Sequence, residues 1–405
     1  MEKIKRKVIS TVVLHHLCND ASVVALPAIF PILYREGVLI RKYSDIGTTI
    51  LIGLAVAVIF QLIIGHNVKK RHYRCCLALD ALTVGVSLLL MTLARNYFML
   101  VVFFIGVRIG TSVYHPVGIS WISSTFTGRK LDRAMGIQSA FGDIGVLAAF
   151  ISTGFLAQYF GWQAPLLLWG VVNLAAIGIG LSISRGTSEP ARTQPGEERV
   201  SWLETIGKLR AFMPVIILGG MAWGVTLGYA PSLFNHKLGL SMSGTGIVLS
   251  CWMAAGTVSS FLYGKISDLL GRHMTITIAH IIIVITTLTL GLSSSVSLTI
   301  AAFVVYGMAL FVTYPAILSF VASTVDEKNR TAAFSLVSTI QILGNSTFAF
   351  ISGFLSDAYD INTPFLLLGG TMLLSVIYIT FVLRLKHITA GPAPPRSRPK
   401  DIVSG

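Results

Sequence analysis

Twelve apolar stretches, each long enough to cross a bilayer as a helix, constrain the fold of this chain more than any other feature of its sequence. A transmembrane helix needs about 20 mostly apolar residues. Of the 405 residues, 54% are hydrophobic and only 12% are charged, and the charged ones gather in short clusters between the stretches. A soluble domain would need charge along every helix, so the sequence predicts an all-α membrane protein. The stretches lie near residues 8–34, 45–66, 75–94, 97–125, 134–160, 163–184, 212–234, 243–264, 274–293, 296–324, 332–357 and 363–384.

The two halves of the chain are related to each other. A shift of 199 residues aligns the second six stretches with the first six without a gap, and it matches glycines and prolines. Because the shift carries each stretch onto the sixth one after it, the halves share one orientation and form a parallel repeat. The prediction is twelve transmembrane helices in two six-helix bundles. Matched pairs include Gly65 and Gly264, Pro116 and Pro315, Gly145 and Gly344, Gly154 and Gly353, Pro165 and Pro364, and Gly170 and Gly369.

Composition also divides the chain into segments. Residues 185–211 collect proline, glycine and charge, which is typical of a solvated connection, and the proline-rich basic sequence near the C-terminus predicts disorder. We therefore expect an N-terminal bundle at 1–184, a cytoplasmic linker at 185–211, a C-terminal bundle at 212–389 and a disordered tail at 390–405.

The net charge of +14 would suit a nucleic-acid partner, but the basic residues lie on one side of the membrane. If the N-terminus is cytoplasmic, 25 of the 31 lysines and arginines fall in cytoplasmic segments. Membrane proteins generally carry this excess in their cytoplasmic loops, so nucleic acid is not needed to explain the charge. The expectation is a multi-pass protein of the plasma membrane with both termini in the cytoplasm.

The loop after the eighth stretch carries a motif. It reads G-x-x-x-D-x-x-G-R, from Gly264 through Asp268 and Gly271 to Arg272. This resembles the cytoplasmic signature of the major facilitator superfamily, and the resemblance implies the major facilitator fold and secondary transport. Such a motif places a tight glycine turn and a carboxylate at the membrane surface. The carboxylate can hold basic groups or helix ends of a neighbouring span in one conformation only, and so acts as a latch. These four residues are predicted to gate the conformational change.

The corresponding loop of the first half departs from the signature. It keeps Gly65 but has Lys69 where the acidic residue belongs. The latch of the first half is therefore expected to be degraded. Asp80, within the third stretch, is a candidate replacement partner for the basic cluster in this loop.

Ionisable residues inside the apolar stretches concentrate in the first half. Such residues are costly in lipid and are functional by default. His16 and Asp20 are four residues apart in the first stretch, so they share a helix face. In the fourth stretch Arg108, Ser112 and His115 follow helical spacing and predict one polar stripe.

One further acid, Asp143, lies in the fifth stretch, whereas the second half offers little buried charge. His280 there is interpreted as a packed histidine. Tyr314 is predicted to contribute to the site. The polar residues of the second-half stretches include Tyr229, Tyr306, Tyr314, Gln341 and Asn345.

Two short motifs point to a narrower family. The first stretch reads H-x-x-N-D from His16 to Asp20, and the fourth contains an aromatic-H-P sequence from Tyr114 to Pro116. Together with the sequence of the fifth stretch from Ser139 to Asp143, these two motifs resemble the fosmidomycin resistance family of major facilitator exporters. The resemblance implies drug-resistance efflux, in which a small amphiphilic or anionic compound moves outward against inward proton flow.

These residues suggest a division of roles. Asp20 and His16 are predicted to bind and release the proton, Arg108 to pair with a carboxylate or an anionic substrate, and His115 to complete the polar lining. A structural ion pair between Arg108 and either Asp20 or Asp143 is the competing interpretation.

Other functions remain open. A divalent-metal transporter could use His16, Cys18, Asp20 and His115, whose donor groups suit transition metals. A metabolite uniporter or symporter is equally compatible with the fold, because gradients set the direction of transport. The H-x4-D spacing from His15 to Asp20 resembles that of membrane acyltransferases, but it places the two side chains on different helix faces. The chain is therefore not expected to be an enzyme.

The remaining expectations concern partners. The four cysteines, Cys18, Cys75, Cys76 and Cys251, lack metal-site spacing and are interpreted as small packing residues. The sequence shows no cofactor motif. The expected partners are the lipid bilayer, a small-molecule substrate and protons, and the protein is expected to be a monomer.

Overall fold

The computed structural model contains only helices and loops in the part of the chain that it describes. The described residues are 2–67, 72–187, 202–325 and 330–383. The α-helices are α1 Glu2–Glu36, α2 Tyr43–Asn67, α3 Tyr73–Met91, α4 Tyr97–Thr111, α5 Tyr114–Thr125, α6 Arg129–Phe160, α7 Gln163–Ile183, α8 Trp202–Leu209, α9 Met213–Ser232, α10 Met242–Leu270, α11 Arg272–Leu292, α12 Val296–Thr324, α13 Arg330–Ala358 and α14 Thr363–Ile377. Helices α9 and α14 continue as π-helical segments, Leu233–Lys237 and Tyr378–Leu383.

Twelve spans in the described residues are long and apolar enough to cross a membrane, so the predicted all-α fold is confirmed. The fourth span consists of two helices, α4 and α5. Helix α8 lies in the predicted linker, where Leu209 is buried and packs with Phe212 against the second half. This end of the linker is therefore packed rather than solvated. Residues 188–201 and the predicted tail at 390–405 lie outside the described residues, and the domain boundaries stay predictions.

The repeat is visible where the first and fifth transmembrane spans of each half cross. Helix α1 packs on α6, and α9 packs on α13. Gly145 of α6 lies against the carbonyl oxygen of Leu17 on α1. Its repeat partner, Gly344 of α13, lies against the carbonyl oxygen of Ile217 on α9, where an added Cβ would be 2.5 Å from that oxygen. Glycine is therefore needed at both crossings, because a side chain would separate the helices.

We expect Gly145→Ala to lower the thermal unfolding temperature of the purified protein. A helical Gly→Ala change normally stabilises by about 0.5–1 kcal/mol, but overpacking a close contact costs about 1–3 kcal/mol. Gly178→Ala in α7 is the matched control, because no atom lies within 4 Å of an added Cβ there. Unfolding followed by intrinsic fluorescence should show opposite signs for the two variants, and equal shifts would contradict the close crossing.

Backbone contacts that repeat at the 199-residue shift close one end of the cleft between the halves. Gly47 of α2 lies against the carbonyl oxygen of Ala349 on α13. Its repeat partner, Gly246 of α10, lies against the carbonyl oxygen of Phe150 on α6. We call the residues at this end the seal. The seal comprises Tyr43, Ser44, Gly47, Ala349, Gly353 and Asp357, and their repeat partners Met242, Ser243, Gly246, Phe150, Gly154 and Gln158.

The seal also contains two helix caps that cross from one half to the other. The Asp357 carboxylate accepts the backbone N–H groups of Tyr43 at 2.7 Å and Ser44 at 3.0 Å, at the N-terminus of α2. The Gln158 side chain accepts the N–H of Ser243 at 2.9 Å, at the N-terminus of α10. The first N–H groups of a helix have no partner within the helix. Each cap therefore satisfies donors only while the two halves are together at this end.

The opposite end of the cleft, which we call the open end, has no hydrogen bond between the halves in the described part of the chain. In the described part of the chain, hydrogen bonds between the halves extend from the seal only as far as Asp143 and Thr257, near the middle of their helices. At the far end Asp268 and Arg272 are exposed, and neither forms an ion pair with a described residue. Among the described residues, the hydrogen bonds between the halves therefore lie at the seal and in the middle of the helices, and not at the end at which α1 begins.

Candidate substrate and proton site

The first predicted pair, His16 and Asp20 of α1, lies close together. The His16 Nε2 atom is 3.0 Å from Asp20 Oδ2, and Asn19 Nδ2 donates to Asp20 Oδ1 at 2.7 Å. His16 is 5% exposed, whereas the side chain of Asp20 is 24% exposed. The helical spacing therefore predicted this contact correctly, and Asp20 is the member of the pair that is more open to its surroundings.

The hydrogen bond at Nδ1 of His16 determines which ring nitrogen carries the hydrogen, and therefore what Nε2 can bind. His16 Nδ1 lies 2.6 Å from the backbone carbonyl oxygen of Gln138. A carbonyl oxygen can only accept, so Nδ1 carries the hydrogen and Nε2 of the neutral ring presents a lone pair. That lone pair faces a carboxylate oxygen, and two acceptors at 3.0 Å repel each other unless they share a cation. The pair is therefore a cation-binding arrangement.

Neighbouring groups hold the His16 ring in this position. The Tyr114 ring stacks on it with centroids 4.3 Å apart, and the Tyr114 hydroxyl donates to Gln138 Oε1 at 2.9 Å. Gly142 of α6 lies against the other edge of the pair, where an added Cβ would be 2.6 Å from His16 Cε1 and 2.7 Å from Asp20 Oδ2. The ring therefore has little freedom to turn away from Asp20.

The predicted polar stripe on the fourth span is interrupted, because the helix breaks at Ser112 and Val113. Pro116 has no N–H for the carbonyl of Ser112, and its ring disfavours a continuous helix at that carbonyl. Ser112 is buried, and its hydroxyl donates to the Ile109 carbonyl oxygen at 2.6 Å, whereas His115 is exposed. The prediction that Ser112 shares a stripe with Arg108 and His115 is wrong.

His115 is the second residue of α5, directly after this break, and it lies next to the pair. Its ring lies edge-on to that of His16, with centroids 5.6 Å apart. Donor atoms of His16, Asp20 and His115 all lie within 4.8 Å of one another, close enough to hold a metal ion. Cys18 is buried but is not part of this group, so the four-ligand metal set expected from the sequence is reduced to three.

Asp143 lies next to Gly142 and links the site to the other half. Its Oδ2 atom accepts from the hydroxyl of Thr257 on α10 at 3.0 Å. The structure therefore places Asp143 beside the His16 and Asp20 pair. Its bond to Thr257 is the described hydrogen bond between the halves that lies farthest from the seal.

Arg108 is separate from the acids. Its Nε atom donates to the Gly53 carbonyl oxygen at 3.4 Å, and no carboxylate of the described residues lies within 4.0 Å of the guanidinium. The structural ion pair with Asp20 or Asp143 is therefore wrong for this conformation. Arg108 lines a cavity between the halves that also contains Asn345 of α13.

The signature residues lie at the open end. Helix α10 continues through Gly264 and Asp268 to Leu270, so only Gly271, with φ of +78°, forms a turn. The tight glycine turn predicted for this motif therefore lies at Gly271, and Gly264 remains helical. Asp268 and Arg272 are exposed, as expected for a latch that is not engaged while this end is open.

The other singled-out residues lie elsewhere. Tyr314 is on α12, 43% exposed, and no hydrogen bond between described residues joins it to the His16 pair. His280 is 1% exposed and bonds to the Ile276 carbonyl oxygen, as a packed histidine would. Asp80 is buried in α3, and the loop that it was predicted to pair with falls largely outside the described residues.

Sequence reasoning did not identify two of the residues at the site, Gln138 and Thr257. Gln138 and Thr257 act through contacts between distant segments, and no local pattern signals them. Asn345 was named from the sequence as a polar residue in an apolar stretch, but its place in the lining of the Arg108 cavity depends on how the halves pack.

Known proteins resemble this chain in both sequence and fold. The model of the Major Facilitator Superfamily matches residues 12–327 and 212–404. Multidrug resistance protein MdtG of Citrobacter koseri is 23% identical over 339 residues, which cover 80% of this chain and 81% of MdtG. NiaP of Bacillus subtilis, named for niacin and nicotinamide transport, is 25% identical over 187 residues. That match covers 45% of each protein, so it spans less than half the length of this relative.

Solved structures share the fold at low sequence identity. A bacterial homologue of the human lysosomal transporter Spinster, in an inward-facing and unoccupied conformation, has a TM-score of 0.74 at 14% identity over 96% of this chain and 99% of the homologue. Nucleoside transporter NupG has a TM-score of 0.73 at 14% identity, over 93% of this chain and 98% of NupG. With twelve spans and a family match over most of its length, the chain belongs to the major facilitator superfamily of membrane transporters.

Proposed function

We propose that this protein exports a small organic or anionic compound in exchange for protons, by alternating access of the cleft. The observation that carries the proposal is the His16 Nε2 lone pair facing the Asp20 carboxylate at 3.0 Å in the middle of a transmembrane helix. An arrangement that requires a shared cation, with one member partly exposed, is suited to take up and release a proton. The protein would lie in the plasma membrane with both termini cytoplasmic.

Arg108 is the residue that we propose binds the anionic group of the substrate. A guanidinium without a carboxylate partner is costly at this depth unless a mobile anion accompanies it. The cavity around it lies between the halves, so an anion held there can be exposed to each side in turn. The resemblance of the H-x-x-N-D and aromatic-H-P motifs to the fosmidomycin resistance family supports export.

Proton–anion symport is the second candidate for the same site. An ionised Asp20 repels an anion at Arg108, and a protonated one does not, so electrostatics favours joint binding of proton and anion. Symport and antiport differ in the sign of the proton movement that accompanies the substrate. Proton movement measured in proteoliposomes distinguishes them.

The test uses proteoliposomes with a pH-sensitive dye inside and a compound panel of phosphonates, organic acids, sugars and lipophilic drugs. For antiport, a compound gradient should drive proton movement in the opposite direction, and for symport in the same direction. Empty liposomes provide the control. A compound that is transported without any proton movement, under either sign of pH gradient, would rule out coupling.

Transport of a divalent transition-metal ion is the remaining candidate, favoured by the three donor groups within 4.8 Å. The same vesicles with a metal-sensitive dye test it with Zn²⁺, Ni²⁺ and Co²⁺. Metal entry that is lost in His115→Ala, with no response to the organic panel, would replace the proton proposal.

A further inference from the structure

A hydrogen bond between Asp143 and Thr257 joins the candidate proton site to the opposite half of the protein. Asp143 lies on α6, and its Oδ2 atom accepts from the hydroxyl of Thr257 on α10 at 3.0 Å. The caps of the seal lie at one end of the cleft, whereas this bond lies beside the His16 and Asp20 pair. The state of the pair can therefore act on the contact between the halves at this bond.

The partner of Thr257 differs from that of other threonines in these helices. A helical threonine often donates to a carbonyl oxygen one turn earlier in its own helix, and Thr83 and Thr289 do so at 2.8 Å. Thr257 donates instead to a carboxylate of the other half. When α10 moves away, its hydroxyl can turn to the Met253 carbonyl oxygen one turn earlier, so Thr257 keeps a partner. Asp143 loses its donor.

Asp143 stays next to the His16 and Asp20 pair when the halves move. Gly142, directly before it, packs against both side chains of the pair, and α1 and α6 form one closely packed unit. The charges of Asp20 and His16 act on the Asp143 carboxylate. Thr257 is neutral and belongs to the other half, so among these groups it alone is gained when the seal closes.

A fixed hydroxyl donor stabilises negative charge at this site. A hydrogen bond to an ionised carboxylate favours the charged form, and a donor held in place in a site of low polarity does so more than mobile water. The site carries more negative charge when the pair is empty than when it holds a proton or another cation. The bond to Thr257 therefore favours the empty site, and it forms in the conformation in which the seal is closed.

We propose that Thr257, acting through Asp143, makes the affinity of the site for its cation lower when the seal is closed than when the seal is open. The inference rests on the proposed function, because it takes the His16 and Asp20 pair as the cation site, and it holds for antiport and for symport. With the seal closed, the site releases its cation toward the open end. With the seal open, the donor is withdrawn and the site binds a cation from the other side. By linkage, an empty site favours the closed seal by the same factor.

The test measures the ratio of closed to open seal at alkaline and at acidic pH. Spin labels at Val38 and Tyr359, exposed on opposite halves at the seal, report this ratio as a distance distribution. Alkaline buffer empties the site, so in the otherwise wild-type protein the ratio should rise by about fivefold or more, the lower end of typical coupling between sites. Thr257→Val keeps the shape without the hydroxyl and should remove the rise. Thr257→Ser keeps the hydroxyl and should retain it.

Two further variants separate the charge from the bond. Thr289→Val is the matched control and should leave the rise unchanged, because the hydroxyl that it removes bonds within α11. Asp143→Asn keeps an oxygen for Thr257 but has no charge to stabilise, so it should remove the rise although the bond can still form. A change in the charge of His236, which bonds to the Tyr43 hydroxyl at the seal, affects every variant alike and cancels in the comparison.

A rise of the same size in Thr257→Val overturns the inference, and so does the absence of any rise in the wild type. If Thr257→Val folds poorly, loss of the rise in Asp143→Asn and its retention in Thr257→Ser decide the question. Compound-driven proton movement in proteoliposomes together with an unchanged rise in Thr257→Val would leave the proposed function standing without this inference. Absence of proton movement for every compound, with no rise in the wild type, would remove both.

Discussion

Asp20→Asn should abolish the proton movement that accompanies substrate transport, while the protein remains folded. Asparagine has the shape of a protonated aspartate, keeps an oxygen for the Asn19 amide, and can donate its own N–H to His16 Nε2. The variant therefore mimics the loaded pair but cannot release the proton. We expect dye-reported proton flux to fall to the level of empty liposomes, and substrate exchange without a pH gradient to persist.

The matched control is Asp80→Asn, the same substitution at a buried carboxyl of α3 in the same half. Asp80 is 2% exposed, and its Oδ1 atom has no hydrogen-bond partner among the described residues. Because it is not exposed to the cleft, coupling should be retained in this variant. Coupled transport at the wild-type rate in Asp20→Asn would refute the assignment, and loss in both variants would show a general need for buried carboxyls.

The fold could be predicted from sequence because lipid simplifies the problem. Each span must satisfy its own backbone hydrogen bonds, so apolar length alone located all twelve. Contacts within one helix were equally predictable, as the pair of His16 and Asp20 shows. The break before Pro116 was missed because the continuous apolar stretch hid a local backbone effect.

Most of the site depended on tertiary packing. The tautomer of His16 is set by a carbonyl at Gln138, 122 residues away. Two features depend on how the halves meet: Arg108 has no ion pair with a described residue, and Asn345 lines the same cavity. Sequence patterns in one chain describe each helix face but not which faces oppose one another.

The two halves differ in charge at equivalent positions of the repeat, at both ends of the cleft. At the open end the signature acid Asp268 corresponds to Lys69, and at the seal Asp357 corresponds to Gln158. In both places the second half keeps a carboxylate and the first half does not. A carboxylate at a helix N-terminus also interacts with the helix dipole, whereas a neutral amide offers only a hydrogen bond. The cap formed by Asp357 should therefore be stronger than the cap formed by Gln158.

Asp357→Ala should shift the protein toward the conformation in which the seal is open. The wild-type cap on the N–H groups of Tyr43 and Ser44 exists only while the halves are together. Its loss therefore destabilises the closed state and leaves the open state unchanged. Loss of a cap costs about 0.5–2 kcal/mol, which corresponds to a roughly 2- to 30-fold change in the ratio of closed to open states. Spin labels at Val38 and Tyr359, both exposed near this end, report the separation. A longer distance population should appear or grow.

Gln158→Ala is the matched control at the repeat-related position, and we expect a smaller shift because a neutral cap is lost. High salt should weaken the seal of the wild type and of Gln158→Ala more than that of Asp357→Ala, since exposed charge–dipole interactions are screened. Unchanged label distances in Asp357→Ala would mean that the glycine contacts between Gly47, Ala349 and their repeat partners hold the seal without the caps. In that case Gly47→Val, which places a side chain 2.7 Å from the Ala349 carbonyl oxygen, should open it instead.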